Sequence, residues 1–187
     1  MKNLFLKFQK RKMKKENPNL KHYYEWANEF DRKRGLALNM ALAVENELEF
    51  FISNYFIRPQ NSKTFFFDEV VTQRINFSGK IRLFKDICGR EGFDKKEVEK
   101  LVKIIEKIKD IRNKVAHSES WSEPSKEKIS LVKRRETITK KDYLELDDTF
   151  MNEFDTKRLK ALEWIRKFYL EYSNEGTIDE KEKKRFI

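Results

Sequence analysis

One short segment of this chain, Arg112-Asn113-Lys114-Val115-Ala116-His117, brings together a fixed cation, a side-chain amide and a proton carrier. A guanidinium stays charged at any pH a protein meets, and imidazole is the side chain best able to take and return a proton near neutrality. Arg112 falls in the middle of an apolar stripe, Leu101, Ile105, Ile108 and Val115, where helical spacing calls for another apolar residue. A permanent charge at such a position must find a carboxylate, a phosphate or water, at a cleft or an interface. Breaks of local pattern of this kind concentrate at functional sites.

The geometry of the segment sets a condition. His117 lies about 140° around a regular helix from Arg112, whereas Asn113 and His117 stack one turn apart. Two arrangements join the cation to the imidazole. Either the helix ends or distorts near Ala116 and swings His117 round, or Arg112 and His117 converge with their copies from a second chain across a two-fold axis. A structural reading of the same residues also stands. Glu45 and Glu49 interrupt the apolar line Leu38, Leu42, Ile52, Phe56 and could pair with Arg112, leaving His117 as a helix C-terminal residue favoured by the macrodipole. Such a carboxylate could equally orient Arg112 for catalysis.

The elements that must position these residues are helical. Ala37, Ala41, Val44, Leu48, Phe51 and Tyr55 repeat at steps of four and three, which predicts a long helix from about Tyr23 to Phe56, ended by Arg58-Pro59. Its second apolar line requires more than one covering neighbour. The aromatic cluster Phe65, Phe66 and Phe67 belongs to a connection folding back over the core. Ser78 is the expected cap of a shorter helix carrying Ile81, Leu83, Phe84, Ile87 and Cys88, stopped by Gly89 and Gly92. Asp94, with Glu97 three residues on, opens the helix that runs to Ala116. Ser118 to Pro124 reads as loop. Residues 129–132 and 143–146 are expected to pair as a small β-hairpin before a last helix from Thr149 to Tyr172 carrying Phe150, Phe154, Leu159, Leu162, Ile165 and Phe168.

These elements make an all-α fold, a bundle of four to five helices with a possible small hairpin between the last two. Residues 1–18 form a basic N-terminal extension, residues 19–174 the helical domain and residues 175–187 a charged tail. At 187 residues one core is expected, and with 40% charged residues its apolar side chains must be gathered into stripes. Lys and Arg exceed Asp and Glu by 42 to 32, a balance that attracts polyanions, nucleic acid first among them.

Other chemistries lack their residues. The sequence has no Gly-rich phosphate loop, no His-Glu-x-x-His, no Cys-x-x-Cys and no Gly-x-Ser-x-Gly. With 2 His and 1 Cys, a zinc site would depend on carboxylates, and the adjacent Asp147 and Asp148 point to different sides, so neither a metal nor a cofactor is expected. The lone Cys88 fits a core position and a reducing cytoplasm. No apolar run approaches a membrane span and no export signal is read, so the expected location is cytoplasmic, away from membranes.

The order Arg-Asn-x-x-x-His, closing an internal amphipathic helix that follows one long helix and precedes another, resembles the HEPN superfamily. The likeness spans about residues 20–173 as architecture and rests on Arg112, Asn113 and His117. It implies a helical bundle that dimerises with paired motifs facing a cleft, and a metal-independent endoribonuclease. In this chemistry the 2′-hydroxyl of RNA attacks its own phosphate, with His117 moving the proton and Arg112 stabilising the extra charge on phosphorus. Asn113 would orient His117 or bind phosphate, Lys114 would contact the substrate, and Trp121 would stack on a base. The resemblance also implies a toxin or phage-defence effector with an inhibitor or antitoxin protein. A catalytically silent HEPN-like module that binds RNA, nucleotide or protein is the alternative.

Overall fold

The computed structural model describes residues 18–57, 67, 70–123, 128–133 and 144–174. The basic stretch before Pro18, the Arg58-Pro59 stop, Phe65, Phe66, the charged tail and the side chains of His22 and Trp121 lie outside the described residues. Four α-helices are described: α1 (Pro18–Phe56), α2 (Phe77–Arg90), α3 (Lys95–His117) and α4 (Asp148–Asn174), with a short 3-10 turn at Thr72–Arg74. The architecture is an all-α helical bundle, and a small antiparallel sheet of β1 (Ser118–Glu123), β2 (Lys128–Lys133) and β3 (Leu144–Glu145), in that order, is inserted between α3 and α4.

Local chemistry fixes the helix ends. Asn76, not Ser78, caps α2, its side chain accepting from the Gly79 N–H at 2.8 Å. Gly89 does not stop that helix, which continues to Arg90. The stop comes at Gly92, whose φ of 76° lets the Phe93 N–H turn back to the Cys88 carbonyl. Asp94 opens α3 as expected, accepting from Glu97 N–H at 2.8 Å. Asp147 does the same for α4 through Phe150 N–H.

Helix directions follow from the cross-contacts. Lys33 meets Asp148 at 2.6 Å, Glu47 meets Arg166, and the rings of Phe50 and Tyr169 lie 5.3 Å apart, so α1 and α4 run the same way. Phe51 packs on Phe84 and Tyr55 donates to Glu91, so α2 follows the upper half of α1. Lys167, late in α4, meets Glu97, early in α3, which makes α3 antiparallel to the others.

The expected stripes form the core. Ala37, Ala41, Val44, Leu48 and Phe51 of α1 are buried with Leu101, Ile105, Ile108 and Val115 of α3, Phe84 of α2 and Phe154, Ile165 and Phe168 of α4. All three other helices contact α1. Its second apolar line is nevertheless only partly covered: Ile52 is buried, while Leu42 and Phe56 are each 49% exposed, as is Leu159 of α4 at 53%. The sheet departs from expectation in one respect. β2 and β3 pair as predicted, but Ser118–Glu123 is a strand rather than a loop, paired with β2 from Ser118 opposite Lys133 to Glu123 opposite Lys128. Its polar residues carry no alternation of their own, and pairing with β2 makes the strand.

Candidate functional site

The site is built where α3 ends. The helix is continuous to His117, and the Ser118 N–H still donates to the Lys114 carbonyl before Ser118 turns extended at φ −90°, ψ 148°. The helix is regular through His117, so no distortion near Ala116 swings the imidazole round. His117 is the last helical residue, exposed, and the next residue begins β1. Asn113 and Lys114 are exposed, and Arg112 is half-buried.

A helix end leaves its last carbonyls without intrahelical partners. Here Arg34, a half-buried residue of α1, supplies them. Its Nε donates to the Val115 carbonyl at 3.1 Å, and its Nη2 donates to those of Ala116 at 3.4 Å and Ser118 at 3.2 Å. One guanidinium thus holds the carbonyls on both sides of His117 and places positive charge at the negative end of the helix dipole. Its neighbour Lys33 ties the start of α4 through Asp148. Successive residues of α1 therefore fix both the end of the motif helix and the start of the last one.

Glu45 and Glu49 do not orient Arg112. Both pair with Lys80 of α2, Glu45 at 2.9 Å, and Lys80 is only 3% exposed. The reason is position along α1: Glu45 and Glu49 lie about 16 and 22 Å further along the helix axis than Arg34, which marks the level of the motif's end. Burial alone would lower the pKa of the Lys80 ammonium, but its hydrogen bonds to Glu45 and Glu49 outweigh that and hold it above the ordinary 10.5.

Arg112 behaves differently. Its Nη1 donates to Asn113 Oδ1 at 3.1 Å, and among the described residues no carboxylate lies within ion-pairing distance. Because a guanidinium can only donate, the Asn113 oxygen is used by Arg112 and the amide NH2 is kept for another acceptor. Asn113 is about 40° from His117 on the helix, so by leaning on Asn113 the Arg112 side chain covers part of the angle to the His117 face. Trp121 is placed in β1 opposite Ser130, four residues beyond His117.

Sequence reasoning had missed Arg34 and Lys80, yet the signal was the one that singled out Arg112. Arg34 stands between the buried Phe30 and Ala37, and Lys80 between the buried Phe77 and Phe84, each where a helical stripe asks for an apolar residue. Of the three stripe cations, Arg34 is matched by three carbonyls, Lys80 by two carboxylates, and Arg112 by one amide oxygen.

Among the described residues no group of three or more His, Cys, Asp or Glu side chains could hold a metal ion. Asp147 and Asp148 are spent on the α4 cap and on Lys33. Cys88 is buried, and desolvation pushes its thiol up to about 12, so it has no nucleophilic character at neutral pH. No helix among the described residues is long and apolar enough to cross a membrane. Compared with known proteins, the chain matches no family model, no curated protein and no solved structure.

Proposed function

We propose that the chain is a metal-independent endoribonuclease of the HEPN type, acting in the cytoplasm as a homodimer in which two sets of Arg112, Asn113 and His117 face one RNA strand. The observation that carries this reading is the contrast among the three stripe cations. Among the described residues Arg112 alone of the three is left with a single acceptor, and a half-buried guanidinium with spare donors is suited to an incoming phosphate. The basic balance of the chain favours the same ligand.

His117 takes the proton from a ribose 2′-hydroxyl as its oxygen attacks the adjacent phosphorus, and Arg112 stabilises the added charge on the phosphoryl oxygens. The NH2 of Asn113 donates to the same group. The P–O5′ bond breaks, a proton is returned to the leaving oxygen, and the products are a 2′,3′-cyclic phosphate and a 5′-hydroxyl. DNA, which has no 2′-hydroxyl, is spared. With α3 regular to its end, the imidazole that serves one Arg112 comes most directly from the second protomer. Lys114 and Trp121 are candidate contacts to the flanking nucleotides, and a protein inhibitor of antitoxin type would act by covering the cleft.

The test is to incubate wild type and His117→Ala with RNA in excess chelator. Cleavage with cyclic-phosphate ends, abolished in the variant, is expected. Cleavage that stops with chelator, or that His117→Ala retains, overturns the mechanism. The angle of about 140° between Arg112 and His117 favours a second reading, a catalytically silent RNA-binding module. RNA binding that is equal in the two proteins, with no cleavage by either, would establish it.

A further inference from the structure

Beyond the motif, the solvent face of α3 carries a single line of lysines. Lys96, Lys100, Lys103, Lys107 and Lys114 follow at steps of four, three, four and seven, which puts them within about 40° of one line along the helix. All five are exposed, and none forms an ion pair among the described residues. Elsewhere exposed or half-buried lysines have found carboxylates, as Lys157 has with Glu153 and Lys167 with Glu97 and Glu171. On α3, Glu99, Glu106 and Asp110 border the ridge on one side only, and among the described residues only Asp110 of these has an ion pair, with Lys109.

For the isolated protein the lysines repel one another, an effect offset in part by Glu99 and Asp110, four residues before Lys103 and Lys114. Lys96–Lys100 and Lys103–Lys107 are like-charge pairs at i,i+4, and Lys96 sits in the first turn, where the helix dipole repels a cation. A polyanion lying along the ridge reverses the sign of both effects. The line rises about 27 Å from Lys96 to Lys114, the scale of a single-strand site a few nucleotides long, and its end lies one turn or less from Asn113 and His117.

We propose that this ridge is the backbone track for the RNA strand, leading phosphates along α3 toward His117, about 60° from the ridge line at the helix end, with Arg112, about 160° from that line, supplied by the second protomer. The identity of the occupant rests on the ribonuclease reading, while the track itself is a claim about binding. Five ammonium groups on one line engage phosphates as point charges without reading bases, so the track is indifferent to sequence, and choice of cleavage position falls to the motif end.

The experiment measures anisotropy of a labelled single-stranded RNA whose 2′-hydroxyls are all O-methylated, so that turnover cannot intervene. Wild type is compared with the quadruple variant Lys96→Gln, Lys100→Gln, Lys103→Gln, Lys107→Gln. A control variant carries Arg74→Gln, Arg82→Gln, Lys85→Gln and Lys160→Gln, four exposed cations away from the ridge. Glutamine keeps helix propensity, so both variants fold, as circular dichroism will verify. With about 0.7 counterions released per phosphate contact on a single strand, loss of four contacts reduces the salt slope by about 3 and weakens binding on the order of a hundredfold or more at 0.1 M salt. The control retains most of the wild-type affinity. A ridge variant with unchanged slope, or no weaker than the control, overturns the track. So does wild type that prefers anionic vesicles or acidic peptide to RNA. If the ridge variant loses binding as expected while wild type never cleaves unmodified RNA, the track stands and the ribonuclease reading falls.

Discussion

Replacing Arg34 by alanine removes the clasp at the end of the motif helix, and the size of the loss follows from the bonds it makes. Three carbonyls, of Val115, Ala116 and Ser118, accept from this guanidinium at 3.1, 3.4 and 3.2 Å. Hydrogen bonds to a charged group contribute about 1.5–3 kcal/mol each when well formed, but one here is long, the three share a donor group, and the site is half-buried, so water recovers part of the loss. A net destabilisation of about 3 kcal/mol results, a fall of roughly 6–12 °C in Tm for a chain of this size. Arg34→Lys restores the charge but not the fork. Without the planar fork of Nε and Nη2, a single ammonium can meet one or two of the three carbonyls, so about 1 kcal/mol is recovered. Urea unfolding at equal m-values reads the stability. Amide exchange at His117 and Ser118 reads the position, because loosening the junction raises exchange there before it raises exchange in the centre of α3. A loss under about 0.5 kcal/mol, or a lysine variant indistinguishable from wild type, refutes the assignment of Arg34 as the residue that holds the helix-to-strand junction.

Three further outcomes are expected. Lys80→Met leaves Glu45 and Glu49 without their cation and lowers stability by about 3–5 kcal/mol, whereas Lys80→Met combined with Glu45→Leu and Glu49→Leu regains most of it; chemical denaturation of both variants checks this. Because the folded pKa of Lys80 is raised, its contribution is complete below 10.5 and is lost as pH climbs through the higher folded value, so the wild-type urea midpoint falls at alkaline pH while that of the triple variant lacks this component. Gly35→Ala and Gly92→Ala shift stability in opposite directions. In mid-α1 a Cβ on Gly35 meets nothing within 4 Å and gains about 1 kcal/mol of helix propensity, while at φ 76° Gly92 loses about 1 kcal/mol, both measured by thermal melts.

Periodicity made the core legible. Except for the half-buried Tyr55, the stripes of α1 and α3 that helical spacing predicts are the residues at zero or near-zero exposure, because burying one face is what these helices are stabilised by. Asp94 was legible because a cap is a local interaction. Non-local interactions were not. Strand β1 depends on β2 for its conformation, and nothing in Ser118–Glu123 announces a partner ten residues away in the chain. Leu42, Phe56 and Leu159 look like core residues from spacing alone, but spacing does not say how wide an arc the neighbours cover. The candidate site divides along the same line. That Arg112 is out of place was readable from its own helix; that Glu45 and Glu49 belong to Lys80 required knowing which level of α1 faces α2 and which faces the end of α3.

The Lys80 cluster bears on how this sequence can change over time. Glu45 and Glu49 sit one turn apart on α1, and Lys80 lies between them, so the 14-residue helix α2 has one favoured height against α1. Sliding α2 by a turn would keep at most one of the two ion pairs and leave the other carboxylate without its donor. A single substitution at any of the three positions therefore meets a steep loss, while coordinated replacement meets little. Positions 45, 49 and 80 form one unit of inheritance: across divergent copies of this chain they are expected to be kept together or exchanged together, and their joint state marks which copies share the same seating of α2.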